Sequence, residues 1–155
     1  MVIDNTLEIT FDTRIISDTR FFHENIGRYC SRPDNWQKLI FKNWNDLVSP
    51  GVTILHLGDF ALGNKTKFDL MTGLLSGRLC LIQGNHDRIS KSYCETRGVT
   101  LIKSSLNVEI SDQMKLIFSH RPIVLLEMVG STYMVMFIMF HRRLKVPIWG
   151  RTISI

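Results

Sequence analysis

Side chains that can bind a metal follow four separate apolar runs of this sequence. They are Asp18 after residues 15–17, Asp59 after 52–57, Asn85 after 79–83 and His120 after 116–119. Such runs are typical of buried strands, and ligands gather at the carboxyl ends of strands in open α/β sheets. Two carboxylates, an amide oxygen and an imidazole suit divalent cations such as manganese, iron or zinc. The order therefore predicts a metal site at one edge of a sheet.

Each of these residues alone also has an ordinary structural explanation. Asp18 would serve as a turn or cap residue, and Gly58-Asp59 is a common turn pair. His120 would be a histidine at the edge of the core. The run Gly84-Asn85-His86-Asp87 is more specific, because a turn does not require Asn, His and Asp together. The prediction therefore depends on the order and repeated placement of all four.

The elements that must position these residues follow from the hydrophobic pattern. Helical spacing predicts a helix from Trp36 to Val48, with Asp34 or Asn35 as its N-cap, and a shorter one from Phe68 to Leu75. Residues 7–11 and 14–17 are predicted to form a strand pair or one bent strand. Further strands are predicted over residues 52–57, 78–83, 99–102, 106–110 and 114–118, with Ser111-Asp112-Gln113 as a hairpin turn. Alternating elements followed by a late cluster of strands predict an α/β (mixed α+β) domain.

The composition favours one soluble domain. The 155 residues can bury a sizeable core without disulfides. Cys30, Cys80 and Cys94 have neither zinc-site nor redox spacing, and the sequence opens without a signal-peptide pattern, so a cytoplasmic location is predicted. The net charge is +5, of which +4 lies in residues 121–155. The rest therefore carries no basic stripe, and nucleic-acid binding is not predicted.

Taken together, the motifs resemble the calcineurin-like metallophosphoesterase family. They are Ser17-Asp18-Thr19, Gly58-Asp59, Gly84-Asn85-His86-Asp87 and Ser119-His120. The chain also resembles a compact bacterial and phage branch of this family, in the stretches Phe22-His23-Glu24-Asn25-Ile26, Arg32-Pro33 and Asn43-Trp44-Asn45. The resemblance covers residues 7–122 and implies a four-layer αββα sandwich of two mixed sheets with helices outside.

The resemblance also implies two divalent metal ions and a ligand for each position. Asp18 would bind the first ion, and Asp59 would bridge both. Asn85 and His120 would bind the second ion. Two cations ~4 Å apart lower the pKa of bound water and clamp the in-line displacement at phosphorus. The implied reaction is hydrolysis of a phosphate monoester or diester.

Further residues receive roles from the same resemblance. His86 would lie beside the phosphate, protonating the leaving oxygen or stabilising its charge, and Asp87 would orient it. Apart from the resemblance, Arg20 and His23 lie near the first motif and are candidates for the substrate side, although a surface or capping role suits His23 equally.

The sequence departs from the family pattern at both ends. The first motif is D-x-H in the family, and Arg20 stands at its last position, where a guanidinium offers no lone pair to a metal. The closing G-H-x-H motif is absent, because His141 is the only histidine after His120 and the residue before it is not glycine. Three ligands are therefore missing, and impaired activity is expected.

Residues 123–155 form an atypical tail after a core domain of residues 1–122. The tail is nearly all apolar up to Phe140 and then basic. Read from the third base of the Tyr133 codon, the codons through Met139 become YAT, GGT, NAT, GTT, YAT, HAT, which permits His-Gly-His-Val-His. A frameshift between His120 and Met128 would explain both the composition and the lost histidines.

Two other functions stay open at this point. The chain would be a catalytically dead remnant that binds one metal or a phosphate, with Arg20 as the phosphate partner. Alternatively, the 18 residues Ile123 to Phe140 would tether it to a membrane, since a spanning helix needs ~20 apolar residues. Glu127 inside this stretch counts against the tether.

Overall fold

The computed structural model describes residues 9–111, 114–123 and 132–137, the last segment as backbone alone. Its elements are β1 (Arg14–Ile16), α1 (Ile26–Cys30), α2 (Trp36–Leu47), β2 (Thr53–His56), α3 (Lys65–Leu74), β3 (Arg78–Ile82), α4 (Lys91–Glu95), β4 (Thr100–Ile102), β5 (Ser105–Ser111), β6 (Met114–Ser119) and β7 (Thr132–Phe137). Helices alternate with strands up to β4, and strands then follow one another. The predicted mixed α/β class is therefore confirmed.

A parallel sheet with the order β1-β2-β3-β4 carries the first half of the fold. Ile16, His56, Leu81 and Leu101 lie side by side across it. Because parallel strands all point the same way, the loops that follow β1, β2 and β3 leave at one edge. That edge receives the segments that contain Asp18, Asp59 and Asn85.

A second sheet has the order β5-β6-β7. Strands β5 and β6 are antiparallel, with Ser105 opposite Ser119, and β6 and β7 are parallel, with Ser119 opposite Phe137. The carboxyl ends of β6 and β7 are therefore neighbours. His120 directly follows the end of β6.

Alternating side chains of the parallel sheet build two hydrophobic clusters. Ile54 and Leu81 point to the helices and pack in a cluster with Trp44, Phe60, Phe68, Met71 and Cys94. Leu55, Leu57, Cys80 and Ile82 point the other way and pack with Phe118 and with Leu106, Val108 and Leu116 of the second sheet. The parallel sheet is thus covered on both faces, which explains its almost uninterrupted apolar runs.

Several element boundaries differ from prediction for local reasons. Helix α3 begins at Lys65, before the predicted Phe68, because the side chain of Asn64 accepts the Lys67 N–H and caps it. Helices α1 and α4 have five residues each, too short for a periodic signal. Residues 9–13 are not a strand, since a turn closes where the Thr13 N–H meets the Thr10 carbonyl.

The predicted hairpin turn and most of the tail fall outside the described residues. Within the described part of the chain, no helix is long and apolar enough to cross a membrane.

Candidate metal and phosphate site

The loops after β1 and β2 turn sharply through unusual backbone conformations. Asp18, Arg20 and Asp59 have φ of 54°, 51° and 54°, in the left-handed region that non-glycine residues seldom occupy. Backbone hydrogen bonds join the two loops, from the Asp18 N–H to the Gly58 carbonyl at 3.1 Å and from the Arg20 N–H to the Asp59 carbonyl at 2.9 Å. Strain of this kind clusters at functional sites.

Two glycines allow the loops to approach each other closely. A Cβ on Gly58, which has φ of 104°, would lie 2.5 Å from His120 Nδ1. A Cβ on Gly84 would lie 2.4 Å from both the backbone nitrogen and Oδ1 of Asp59. A side chain at Gly58 would displace His120, and a side chain at Gly84 would displace Asp59. Both glycines are therefore needed for the close approach.

The four predicted ligands come together at this edge. Asp18 and Asp59 are 4% and 1% exposed. His120 Nδ1 lies 4.0 Å from Asp18 Oδ1, and His120 Nε2 lies 3.6 Å from Asp59 Oδ1. Asn85 Oδ1 lies 3.0 Å from the same Nε2. These contacts bring the four side chains into one cluster around the His120 ring.

The ring of His120 leaves acceptor atoms facing one another. Its Nδ1 lies 2.9 Å from the Leu57 carbonyl, which can only accept, so Nδ1 carries the proton. In the neutral ring, Nε2 then points a lone pair at Asn85 Oδ1 and Asp59 Oδ1. A proton on Nε2, a rotated Asn85 amide or a cation would satisfy them. A cation alone would engage all three atoms as ligands.

Arg20 lies between the two carboxylates and does not project toward solvent. Its Nη2 donates to Asp18 Oδ2 at 3.1 Å and lies 2.8 Å from Asp59 Oδ2. The second contact is an ion pair without hydrogen-bond alignment, so Asp59 Oδ2, which is buried, accepts no hydrogen bond. The charged group beside this oxygen is the Arg20 guanidinium. Arg20 was predicted to face the substrate, whereas it contacts the carboxylates of Asp18 and Asp59.

Asp87 holds backbone rather than a side chain. Its Oδ2 accepts the N–H groups of Asp59 at 2.7 Å and Gly84 at 2.8 Å, and its Oδ1 accepts that of Phe60 at 2.9 Å. Burial raises the pKa of Asp87, and these three hydrogen bonds act in the opposite direction. The resemblance implied that Asp87 orients His86, whereas its carboxylate fixes the loop that carries Asp59.

His86 lies at the open side of the cluster. Its backbone N–H donates to Asp59 Oδ1 at 3.1 Å, and its Nε2 is 4.0 Å from Asp59 Oδ2. The side chain is 41% exposed, so a solvent-borne molecule can reach it. The ring of His23 lies 6.4 Å from the His86 ring, and His23 Nδ1 is buried without a hydrogen-bond partner. Both histidines therefore lie close together on this side of the cluster.

A buried hydrogen-bond chain behind the site was not predicted. His56 Nδ1 accepts the Gly58 N–H at 3.2 Å, so Nε2 carries the proton and donates to Thr19 Oγ1 at 3.0 Å. Thr19 Oγ1 in turn donates to the Phe60 carbonyl at 2.8 Å. Burial, followed by the nearby charge of His120, lowers the pKa of His56 to about 3. The ring is therefore neutral at physiological pH and braces both loops.

Arg32 braces the first loop from the helical side. Its guanidinium donates to the Asp18 carbonyl at 2.7 Å and to the Thr19 carbonyl at 2.9 Å, and it stacks on Trp36 at 4.7 Å. Desolvation is the main influence on Arg32 and lowers its pKa. The pair Arg32-Pro33 contributed to the resemblance, but nothing in the sequence connected it with Asp18.

The polar atoms around the His120 ring form a mixed donor set. In the part of the chain that the structure describes, no three His, Cys, Asp or Glu side chains form a group that could hold a metal. The atoms around His120 Nε2 are one imidazole nitrogen, one carboxylate oxygen and one amide oxygen, a mixed set acceptable to manganese, iron or zinc. Open coordination positions would then be filled by water or substrate.

No family model matches the chain. In fold, it is similar to the crystal structure of the protein of unknown function AQ665 from Aquifex aeolicus. That likeness has a TM-score of 0.58 and 29% identity and covers 71% of this chain and 60% of AQ665. In sequence, it is 39% identical over 85 residues to the uncharacterized protein MJ1445 of Methanocaldococcus jannaschii. This covers 51% of the chain and 48% of MJ1445, so the chain spans about half of that relative's length.

Proposed function

We propose that this chain belongs to the calcineurin-like metallophosphoesterases and descends from enzymes that hydrolyse phosphate monoesters or diesters. The observation that carries the proposal is the meeting of Asp18, Asp59, Asn85 and His120, which follow strands of both sheets, with contacts of 3.0–4.0 Å to the His120 ring. The finer fold proposed is the four-layer αββα sandwich. It is supported by the two hydrophobic clusters on opposite faces of the parallel sheet, one packed against the helices and the other against the second sheet.

The residues of the cluster and those behind it would have different roles. Asp59, Asn85 and His120 would hold a divalent cation, which, when bound, acidifies a water and withdraws charge from a phosphate oxygen. Asp87 keeps the Asp59 loop in place through its backbone contacts. The His56 chain holds the first two loops together with a neutral ring. These residues provide a rigid frame that needs little rearrangement when a phosphate ester arrives.

His86 is the proposed proton donor to the leaving oxygen. Its imidazole is partly exposed and borders Asp59, so it can contact both solvent and an ester seated on the cluster. His23, with its ring beside that of His86 and an unpartnered Nδ1, would contact the same ester. Imidazoles suit this role because they exchange protons near neutral pH.

A cation-dependent assay tests the proposal. The full chain would be incubated with an aryl phosphate monoester or diester and manganese, beside Asp59→Asn and the control Asp46→Asn on the exposed surface of α2. We expect slow manganese-dependent release of the aryl group, lost in Asp59→Asn and retained in Asp46→Asn. Equal turnover in Asp59→Asn would assign the activity to a contaminant and contradict the proposal.

Binding without turnover is the second candidate function, and the position of Arg20 favours it. The guanidinium neutralises carboxylates that a complete enzyme would offer to metal. In this case calorimetry would show saturable manganese binding by the folded chain, while the same preparation released no aryl group. Turnover that depends on Asp59 would rule it out.

A further inference from the structure

We infer that the guanidinium of Arg20 takes the place of the first metal ion, so that the centre binds one divalent cation, held by Asp59, Asn85 and His120. The inference rests on the proposed function, because it assumes that the cluster binds metal. It departs from the two-ion centre that the resemblance implies.

The first step is geometric. Nη2 of Arg20 lies 3.1 Å from Asp18 Oδ2 and 2.8 Å from Asp59 Oδ2, so one nitrogen contacts both carboxylates. A cation held by the same two oxygens would lie about 2.0–2.4 Å from each. That position overlaps the nitrogen. Arg20 and a first metal ion are therefore mutually exclusive while this ion pair persists.

The second step concerns charge. A guanidinium stays protonated in proteins, so Arg20 supplies a fixed positive charge and no lone pair. The side chains of Asp18 and Asp59 are 5% and 0% exposed, and the Arg20 side chain is 24% exposed. Water therefore screens little of the repulsion that a cation beside Arg20 would meet. Both the occupied space and the charge oppose a first metal ion.

The third step shows that the other position stays open. The two oxygens of Asp59 face different partners, with Oδ2 toward Arg20 and Oδ1 toward His120 Nε2 at 3.6 Å. Asn85 Oδ1, which lies 3.0 Å from the same Nε2, completes the second set. A cation at this position would see one carboxylate, one amide and one imidazole, with Arg20 on the far side of the Asp59 carboxylate.

The stoichiometry of manganese binding tests the inference. Manganese would be titrated into the full chain at pH ~8, above the ordinary pKa of a free histidine, with calorimetry for the count and electron paramagnetic resonance for spacing. Arg20→His restores the ligand type, Arg20→Lys keeps the charge, and Arg28→His makes the same exchange at an exposed position on α1. Circular dichroism checks that each variant is folded.

We expect one manganese ion per chain, with the resolved hyperfine lines of an isolated ion, in the unaltered chain, Arg20→Lys and Arg28→His. Arg20→His should bind two ions and show the broadened spectrum of a coupled pair. Asn85→Ala should lose the single ion.

Other outcomes separate the two proposals. Two ions in the unaltered chain would overturn the inference and leave the proposed function standing. So would a single ion that survives Asn85→Ala and disappears in Asp18→Asn, or a count of one in folded Arg20→His. Metal binding in Arg20→His alone would show that no open position exists beside Arg20. No binding by the unaltered chain or by Arg20→His would defeat the proposed function itself.

Discussion

The carboxylate of Asp87 accepts the backbone N–H of Asp59 at 2.7 Å, which joins the loop after β3 to the loop after β2. The same carboxylate accepts two more backbone N–H groups, from Gly84 and Phe60. A buried charge is tolerated only when such donors surround it. Asp87 therefore fixes the backbone that presents Asp59.

Replacing Asp87 by asparagine should destabilise the chain by about 1–3 kcal/mol, because one acceptor oxygen becomes an NH₂ group that faces an N–H donor. The change is nearly isosteric, so lost packing does not explain the effect. Urea denaturation in the presence of a chelator measures it. Asp46→Asn, which removes an exposed ion pair with Lys42, should change stability by less than about 0.5 kcal/mol. Equal losses in the two variants would show that the three backbone contacts contribute nothing.

His56 should make the chain sensitive to mild acid. Its pKa is about 3 in the folded chain and 6.5 as an ordinary histidine, so between these values the unfolded chain binds a proton that the folded chain does not. Protonation then favours unfolding, and the free energy of unfolding falls as the pH falls from 6.5 toward 3. This residue's share of the slope approaches about 1.4 kcal/mol per pH unit. Above pH 6.5 neither state binds that proton, and the contribution is constant.

The variant His56→Gln isolates that contribution. Glutamine keeps one donor and one acceptor but does not titrate in this range. We expect a lower stability near neutral pH, because ring packing against Trp44 and Phe60 is lost, together with a shallower fall between pH 6 and 4. Parallel curves for the two chains in urea denaturation at several pH values would contradict the assignment.

Two glycines make a matched pair for substitution by alanine. At Gly58 the added Cβ would lie 2.5 Å from His120 Nδ1 in a backbone conformation that alanine seldom adopts, so Gly58→Ala should cost roughly 2–4 kcal/mol. At Gly73, in α3, the Cβ would meet nothing within 4 Å, and Gly73→Ala should stabilise by about 0.5–1 kcal/mol. Thermal unfolding measures both. A tolerated Gly58→Ala would mean that His120 does not pack against this loop.

The gene should encode the missing histidines in a second reading frame. Strand β7 runs parallel to β6 and places Phe137 opposite Ser119, next to His120. The shifted codons that permit His-Gly-His-Val-His cover most of this strand. A chain translated in that frame would therefore place its closing motif near His120. The nucleotide sequence through the codons for residues 115–140 checks this. Tyrosine at either YAT position, or asparagine, aspartate or tyrosine at the NAT position, would end the frameshift hypothesis.

The sequence predicted what strand order and local pattern determine. Asp18, Asp59 and Asn85 come together because the parallel strands that precede them end at one edge. Helix α2 follows from its apolar spacing and begins at the predicted Trp36. Long-range geometry was not accessible in this way. Arg20 was recognised as a non-ligand, but its contact with both carboxylates depends on how closely the loops after β1 and β2 approach.

His56 and Asp87 show the same limit. His56 lies inside an apolar strand run, where its ring could be predicted as buried, but its partner Thr19 comes from the loop after β1, far away in the sequence. Asp87 was given a side-chain partner because the resemblance supplied one, whereas three backbone donors surround it. Residues that position a site through the backbone leave little signal in a single sequence.

The central claim is that Asp59, Asn85 and His120 hold a divalent cation, and anomalous diffraction from crystals soaked in manganese tests it most directly. The account predicts one manganese peak about 2.0–2.4 Å from Asp59 Oδ1, Asn85 Oδ1 and His120 Nε2, with the Arg20 guanidinium still between Asp18 and Asp59. A saturating soak that leaves no peak among those three atoms, or places manganese only elsewhere, would contradict it.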